Sequence, residues 1–243
     1  MKLYQPEHGT VLGFRLIPEK VSLIGYYETL LRTPGYLTMF WNSILLTIPI
    51  VAGQIAVSSL GGYAFGKLRF PFRNAFFFLF VIIMMMPIQV MIVPTYIITR
   101  MMGVLGTYPA VILPGIFSAF GVFLMRQFTK IIPDECLEAA RLDGAGHWSV
   151  FTRIVLPQLK SGLASLAILG FIDNWNMVEQ PLILLSNENQ FPLSVFLSRI
   201  NIEQINIAFV SGVLFMVPVI LLYLLGENYL LEGIRTQAKG GIK

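Results

Sequence analysis

The sequence is poor in charge. Only 12% of its 243 residues are Asp, Glu, Lys or Arg, against 56% hydrophobic, and the mean hydropathy is +0.73. A soluble domain carries roughly a quarter charged residues, so this chain lacks the polar skin a water-soluble globule needs. That shortage excludes a secreted enzyme, a cytosolic enzyme and a nucleic-acid binder, and it makes the bilayer the natural solvent. Cysteine is nearly absent: Cys136 stands alone, cannot form an internal disulfide and tells nothing of compartment. Histidine is limited to His8 and His147, far apart in the chain, so no zinc or catalytic cluster is visible. The alternating segments of a membrane β-barrel are missing. So is an internal repeat of the kind many secondary transporters carry. A nucleotide-binding loop is missing too. Gly61, Gly66 and Lys67 match most of G-x-x-x-x-G-K-[ST], but Leu68 has no hydroxyl for magnesium and the stretch follows an apolar helix rather than a strand.

What the chain does have is long apolar runs. A hydrocarbon core of about 30 Å takes about 20 residues per helix, which leaves room for about five or six spans and no large soluble domain. Five segments qualify, at about 37–60, 75–98, 104–125, 162–185 and 207–231, and predict an all-α integral membrane bundle. Orientation follows from the basic residues of the short loops. The first loop carries Lys67, Arg69 and Arg73, the third Arg126, Lys130, Arg141, Arg153 and Lys160, and the tail Arg235, Lys239 and Lys243. The opposite side has only Arg100 and Arg199. Loops one and three and the C-terminus are therefore expected in the cytoplasm, and the net charge of +4 reads as basic cytoplasmic loops.

Five spans then put residues 1–36 outside, although that segment carries Lys2, Arg15, Lys20 and Arg32. The run Val11–Ile17 is interrupted by Arg15 and is too short for a signal peptide. Either the first helix enters with its N-terminus out, or an upstream span is missing; the missing span is the expectation. The organisation is an extracytoplasmic segment 1–36, a membrane domain 37–231 containing a cytoplasmic loop 126–161, and a cytoplasmic tail 232–243.

That loop is too structured for a mere connector. It reads Pro133-Asp134-Glu135-Cys136-Leu137-Glu138-Ala139-Ala140-Arg141-Leu142-Asp143-Gly144-Ala145-Gly146. Pro133 suits the first turn of a helix, and Asp134, Glu135 and Glu138 complement its positive dipole end. Gly144 and Gly146 end it. A second amphipathic stretch with Val150, Phe151, Ile154 and Val155 follows, up to Pro157. Ala139, Ala140 and Gly144 are small enough for a partner surface to approach closely. On spacing alone this is either such a docking helix or an interfacial helix that merely joins two spans.

The run EAARLDGA at 138–145, with Ile154, Leu156 and Pro157 at fixed distance, resembles the EAA loop of the permease subunits of bacterial ABC importers. The DGA variant leans towards the carbohydrate branch. Phe40-Trp41-Asn42-Ser43, Met86-Pro87-Ile88-Gln89, Phe171 to Asn176 with Pro181-Leu182, and the basic tail are similar to that branch in matching order, so the likeness covers nearly the whole chain. It implies a type I permease bundle in the bacterial inner membrane and no catalysis by this subunit. A homologous second permease, two cytoplasmic ATPase subunits that bind ATP and Mg, and an extracytoplasmic solute-binding protein are the implied partners. By position, Glu138 contacts the ATPase, Ala139 and Ala140 permit docking, and Gly144 supplies the break; Asp143, Ile154 and Pro157 belong to the same motif. Two features depart from the family. Its members usually have six spans, and the first span here resembles their second. A proline usual about four residues after the leucine-proline is Ser161.

Polar residues inside the spans are candidate function. On a 100° wheel Asp173, Asn176, Glu179 and Gln180 fall within an arc of about 120°, with Trp175 and Asn174 pointing elsewhere. Such a face offers carboxylates and amides to sugar hydroxyls while aromatic rings stack on the apolar sugar face. Equally, it hydrogen-bonds to a partner permease or lies near the outer surface. Ser43, Thr47, Gln54 and Ser58 share a stripe of about 60° on the first span, which reads as pore lining or as small-residue helix packing. Pro87 and Pro94 imply a kink in the second span. The expected function is ATP-driven import of a sugar or oligosaccharide. The alternatives are an importer of an amino acid, peptide or oxyanion, and an ion-coupled carrier using Asp173 or Glu179.

Overall fold

The computed structural model describes residues 24–32, 34–199 and 205–240. The expectation for the N-terminal segment therefore lies, over 1–23, outside the described residues. Helices are the regular elements among those described, and one isolated bridge pairs Gly106 with Leu185 without forming a sheet. After a short helical lead-in at 24–32 come α1 (Pro34–Lys67), α2 (Arg73–Met84), α3 (Ile88–Met101), α4 (Tyr108–Ile116), α5 (Ala119–Ile131) and α6 (Asp134–Leu142). They are followed by α7 (His147–Gln158), α8 (Lys160–Trp175), α9 (Glu179–Leu184), α10 (Leu193–Ser198) and α11 (Ile205–Gly240).

Three helical stretches among the described residues, Gly35–Lys67, Tyr108–Ile131 and Phe209–Glu227, are long and apolar enough to cross a membrane. Two bent pairs bring the total to five if each pair is one span: α2 with α3, bent by 107°, and α7 with α8, bent by 75°. The first, second, third and fifth apolar segments of the sequence coincide with such stretches, the second as a bent pair; the fourth, 162–185, coincides only with α8, because α7 lies in the expected cytoplasmic loop 126–161.

Pro87 breaks the second span. It has no N–H to donate and disfavours helical backbone at Met86, so the chain closes α2 with tight turns and restarts at Ile88. Pro94 sits inside α3 without ending it. The fourth span ends at Trp175, ten residues before the expected 185, and the chain restarts as the six-residue α9. Pro181 explains this: an unbroken helix would need its missing N–H and would press its ring on the Met177 carbonyl. The wheel that grouped Asp173 with Asn176, Glu179 and Gln180 assumed one helix, so that common arc does not exist.

α1 is the central element. Its N-terminal half packs Leu46 and Ile50 against Val111, Leu184 and Phe191, and its C-terminal half packs Tyr63 against Met125, Phe128 and Phe151. It lies so close to α5 that a Cβ on Gly62 would sit 2.5 Å from the Met125 Cβ, and one on Gly66 3.0 Å from Thr129 Cγ2. α2 joins the same pair through Phe77, stacked on Phe123 and covered by the Arg126 guanidinium 3.7 Å from its ring centroid.

Candidate functional site

The EAARLDGA loop is built as its sequence demands. Pro133 is extended (φ −61°, ψ 138°) and precedes the helix rather than entering it; Asp134 and Glu135 fill the first turn of α6 and Arg141 the last. Leu137 is buried with Val150 and Phe151, which fixes the roll of α6 and leaves Glu138 and Ala139 exposed. Ala140 is half-buried against the same cluster. Gly144 ends the helix in the left-handed region (φ 81°), with Gly144 N–H donating to Arg141 O at 3.0 Å and Ala145 N–H to Ala140 O at 2.9 Å. That paired arrangement is the Schellman end, and its left-handed position strongly favours glycine, with asparagine the usual substitute. Asp143 and Gly144 are exposed, and no atom lies within 4 Å of where a Gly144 Cβ would be. Ile154 is half-buried and Pro157 exposed on α7.

Two residues the sequence reading passed over complete this surface. Leu142 is 89% exposed and Trp148 68% exposed, large apolar side chains held in the open on an otherwise polar loop. An exposed large apolar side chain on such a loop is the informative departure from ordinary burial. Their signal in the sequence was a leucine and a tryptophan flanking the glycine break.

Lys67 gains a role different from the nucleotide-loop match. Its side chain, 7% exposed, donates from Nζ to Ile132 O at 2.5 Å and to Asp134 Oδ1 at 2.6 Å. The Lys67 hydrogen bond and charge hold the Asp134 carboxyl below its ordinary value, with Arg69 and Arg141 adding to the effect. A carboxylate depressed in the folded state contributes stability above its unfolded pKa and loses it as pH falls through the folded one, so this contact is fully present at neutral pH. Beside it, Lys67, Arg69, Asp134, Glu138, Arg141 and His147 line a cavity of about 620 Å³.

The polar residues of the spans divide in two. Ser43 and Gln54, which the sequence leaves open between solute path and packing, and Trp175, the aromatic candidate for that path, all make packing contacts in this structure. Ser43 Oγ accepts from Leu193 N–H at 2.8 Å, Gln54 donates to the Gly115 carbonyl at 2.8 Å, and both are buried. Trp175, 1% exposed, donates to Phe215 O and stacks between Phe171 and Phe215. Thr47 and Ser58 are buried on the same stripe. Asp173, Asn176 and Glu179 are exposed and Gln180 is half-buried, all around the end of α8. Asn176 folds its amide back onto Ile172 O, while Gln89 at the start of α3 donates to Glu179 at 3.0 Å. The breaks of the second and fourth spans therefore meet at one polar contact. Irregular backbone at membrane depth is tolerated only inside protein or along an aqueous cavity, and this junction is where the two irregular stretches meet.

The family described as binding-protein-dependent transport system inner membrane component matches residues 58–236. The chain belongs to this family. It is a permease subunit of an ABC importer and a multi-pass membrane protein of the all-α type I permease fold. The permease is similar to the arabinooligosaccharides transport system permease protein AraQ of Halalkalibacterium halodurans, 32% identical over 236 residues that cover 95% of this chain and 84% of the relative. It is also similar to the sn-glycerol-3-phosphate transport system permease protein UgpE of Yersinia enterocolitica, 36% identical over 201 residues covering 81% and 72%. Among solved structures, a chain of a bacterial ABC transporter involved in the import of the acidic polysaccharide alginate superimposes with a TM-score of 0.78 at 25% identity, covering 92% of this permease and 84% of that chain.

Proposed function

We propose that the permease imports a sugar, an oligosaccharide or a related glycoside, driven by a separate ATPase that docks on the loop 133–157. The observation that carries this reading is α6: a short helix anchored by Leu137, open along Glu138 and Ala139, ended at Gly144 and flanked by the exposed Leu142 and Trp148. A helix so presented suits a groove on another protein, with Leu142 and Trp148 as apolar anchors and Glu138 as a charged contact at the rim. The solute class is supported by the relatives, whose names specify arabinooligosaccharides and sn-glycerol-3-phosphate, and by the alginate importer of the same fold.

The permease itself performs no covalent chemistry. ATP and Mg belong to two cytoplasmic ATPase subunits, a homologous permease completes the membrane unit, and an extracytoplasmic binding protein delivers the solute. The loop and the C-terminus face the cytoplasm, as the distribution of Lys and Arg supports. Closure of the ATPase pair on ATP draws the docked loops together and favours the outward-facing state; hydrolysis restores the inward-facing one. Asp173, Asn176, Glu179 and Gln180, at the junction of the broken spans, offer hydrogen bonds to the solute on its way.

Affinity purification from native membranes in mild detergent, with mass spectrometry of all recovered chains, tests this reading. An ATPase, a sister permease and a solute-binding protein are expected with the permease. Recovery of the permease alone, under conditions that preserve a known importer complex, overturns it.

A further inference from the structure

The geometry points to α1 as a tie rod that joins the two faces of the permease, with Lys67 as the positioning residue that fastens it to the ATPase-facing loop. This rests on the docking role proposed above for α6. By chain connectivity, motion of the loop reaches α5, which leads into it, and α7 and α8, which lead out. α1 is separated from it by the whole of α2 to α5. In space α1 packs along α5 and, through Tyr63, on Phe151, and Lys67 adds the direct side-chain bond from α1 to the start of α6.

The clasp is specific. Lys67 places an ammonium with a 7% exposed side chain against the Ile132 carbonyl, at the corner between α5 and α6, and against Asp134 in the first turn of α6. With so little of its side chain exposed, Lys67 is held where its partners are, because leaving them gives up both of its hydrogen bonds. The three groups therefore move as one body. The opposite end of α1 carries a matching fastening. Asn42 donates to Asn189 O at 2.7 Å and to Phe191 O at 3.1 Å, and accepts from the Tyr108 hydroxyl at 2.9 Å. Ser43 accepts from Leu193 N–H. The segment 189–193 is thus tied to α1 about as firmly as α6 is, and the 25 residues from Asn42 to Lys67 span about 38 Å of helix. Between the two fastenings the helix is uninterrupted despite Pro49, and the close approach of Gly62 to Met125 stops it from sliding on α5. A displacement of α6 is delivered at the far face, in the loop where a solute-binding protein would sit.

The test uses the complete complex in lipid nanodiscs, with hydrogen exchange measured over 187–193 with and without nucleotide trapped on the ATPase. In the wild type, trapping changes exchange in that segment. In Lys67→Met the change is expected to shrink about fivefold or more, with the ATP consumed per solute imported rising in proportion while ATP hydrolysis continues. Lys67→Arg, which keeps the charge and the donors, retains the response. Asp134→Ala, at the exposed end of the clasp, is expected to lie between Lys67→Met and the wild type. A nitroxide on Cys136, the single cysteine and exposed on α6, reports the clasp independently of transport: its mobility is expected to rise in Lys67→Met. Wild-type responses at 187–193 in Lys67→Met and Asp134→Ala overturn the proposal. If Lys67→Met does not assemble, Asp134→Ala decides alone: a reduced response supports the tie rod and a wild-type response refutes it. A wild type that shows no nucleotide effect and no ATP-driven uptake refutes the docking reading itself, a different failure.

Discussion

Gly144→Val is expected to reduce ATP-driven uptake roughly a hundredfold, at the upper end of measured coupling effects, while the protein still inserts and folds. The reason is backbone rather than bulk. Gly144 has φ 81° and nothing within 4 Å of a would-be Cβ, so valine meets no neighbour within the chain. It must nevertheless hold a left-handed conformation that costs an L-residue about 1–2 kcal/mol and a β-branched one more. The turn relaxes instead, the Ala145 N–H to Ala140 O bond is lost, and the end of α6 with Leu142 and Asp143 moves away from its docking position. Asn visits the left-handed region far more readily, so Gly144→Asn is expected to keep most of the uptake. Uptake and ATP hydrolysis measured on the two variants check this. Equal loss in both would mean that the site fails through its side chain, and equal retention would mean that the helix end does not matter.

Gly62→Val is expected to destabilise the protein itself by about 3 kcal/mol, at the upper end of ordinary overpacking. The added Cβ would fall 2.5 Å from the Met125 Cβ, 2.7 Å from the Met125 carbonyl carbon and 2.9 Å from Arg126 N. Those are backbone-proximal atoms of another helix and cannot rotate aside, so α1 and α5 must separate along their whole contact. At about 2–4 °C per kcal/mol for a chain of this size, the melting temperature of the purified complex should fall by about 6–12 °C. Gly35→Ala, on the same helix but with nothing within 4 Å, should leave it unchanged or raise it slightly. A drop of similar size in both would show that α1 tolerates no substitution for reasons other than this crossing.

The two glycines also mark what the sequence made legible. The loop helix was readable almost residue by residue, because its signals are local: a proline before it, acids in its first turn, a glycine after it. The structure moves only Pro133, from the first turn to the position before it. The five apolar segments were readable because the hydrophobic requirement of a span is local too. The break after Trp175 was readable in principle, since Pro181 forbids the hydrogen bond that a continuous helix needs, but the apolar run through Leu184 and Leu185 masked it. The stripe of Ser43, Thr47, Gln54 and Ser58 left packing and pore lining open, because composition is the same for both; what decides is Gly115 O and Leu193 N, 61 and 150 residues away. Lys67 was read as a failed nucleotide loop because its partners, Ile132 and Asp134, lie about 65 residues on. Glu179 was given a helical face with Asp173, yet its partner is Gln89 on the other broken span. Contacts of this range leave no period in the sequence.

The most direct measurement of the central claim is uptake by proteoliposomes that hold the full complex, with ATP inside or absent and ion gradients collapsed by ionophores, for the wild type and Glu138→Lys. Glu138 is exposed on α6, so reversal of its charge leaves the fold intact and places repulsion where the ATPase docks. Wild-type uptake is expected to require ATP and to survive the ionophores, and Glu138→Lys is expected to assemble in the membrane yet lose that uptake. Uptake that follows an ion gradient without ATP, or normal ATP-driven uptake in Glu138→Lys, would contradict the account.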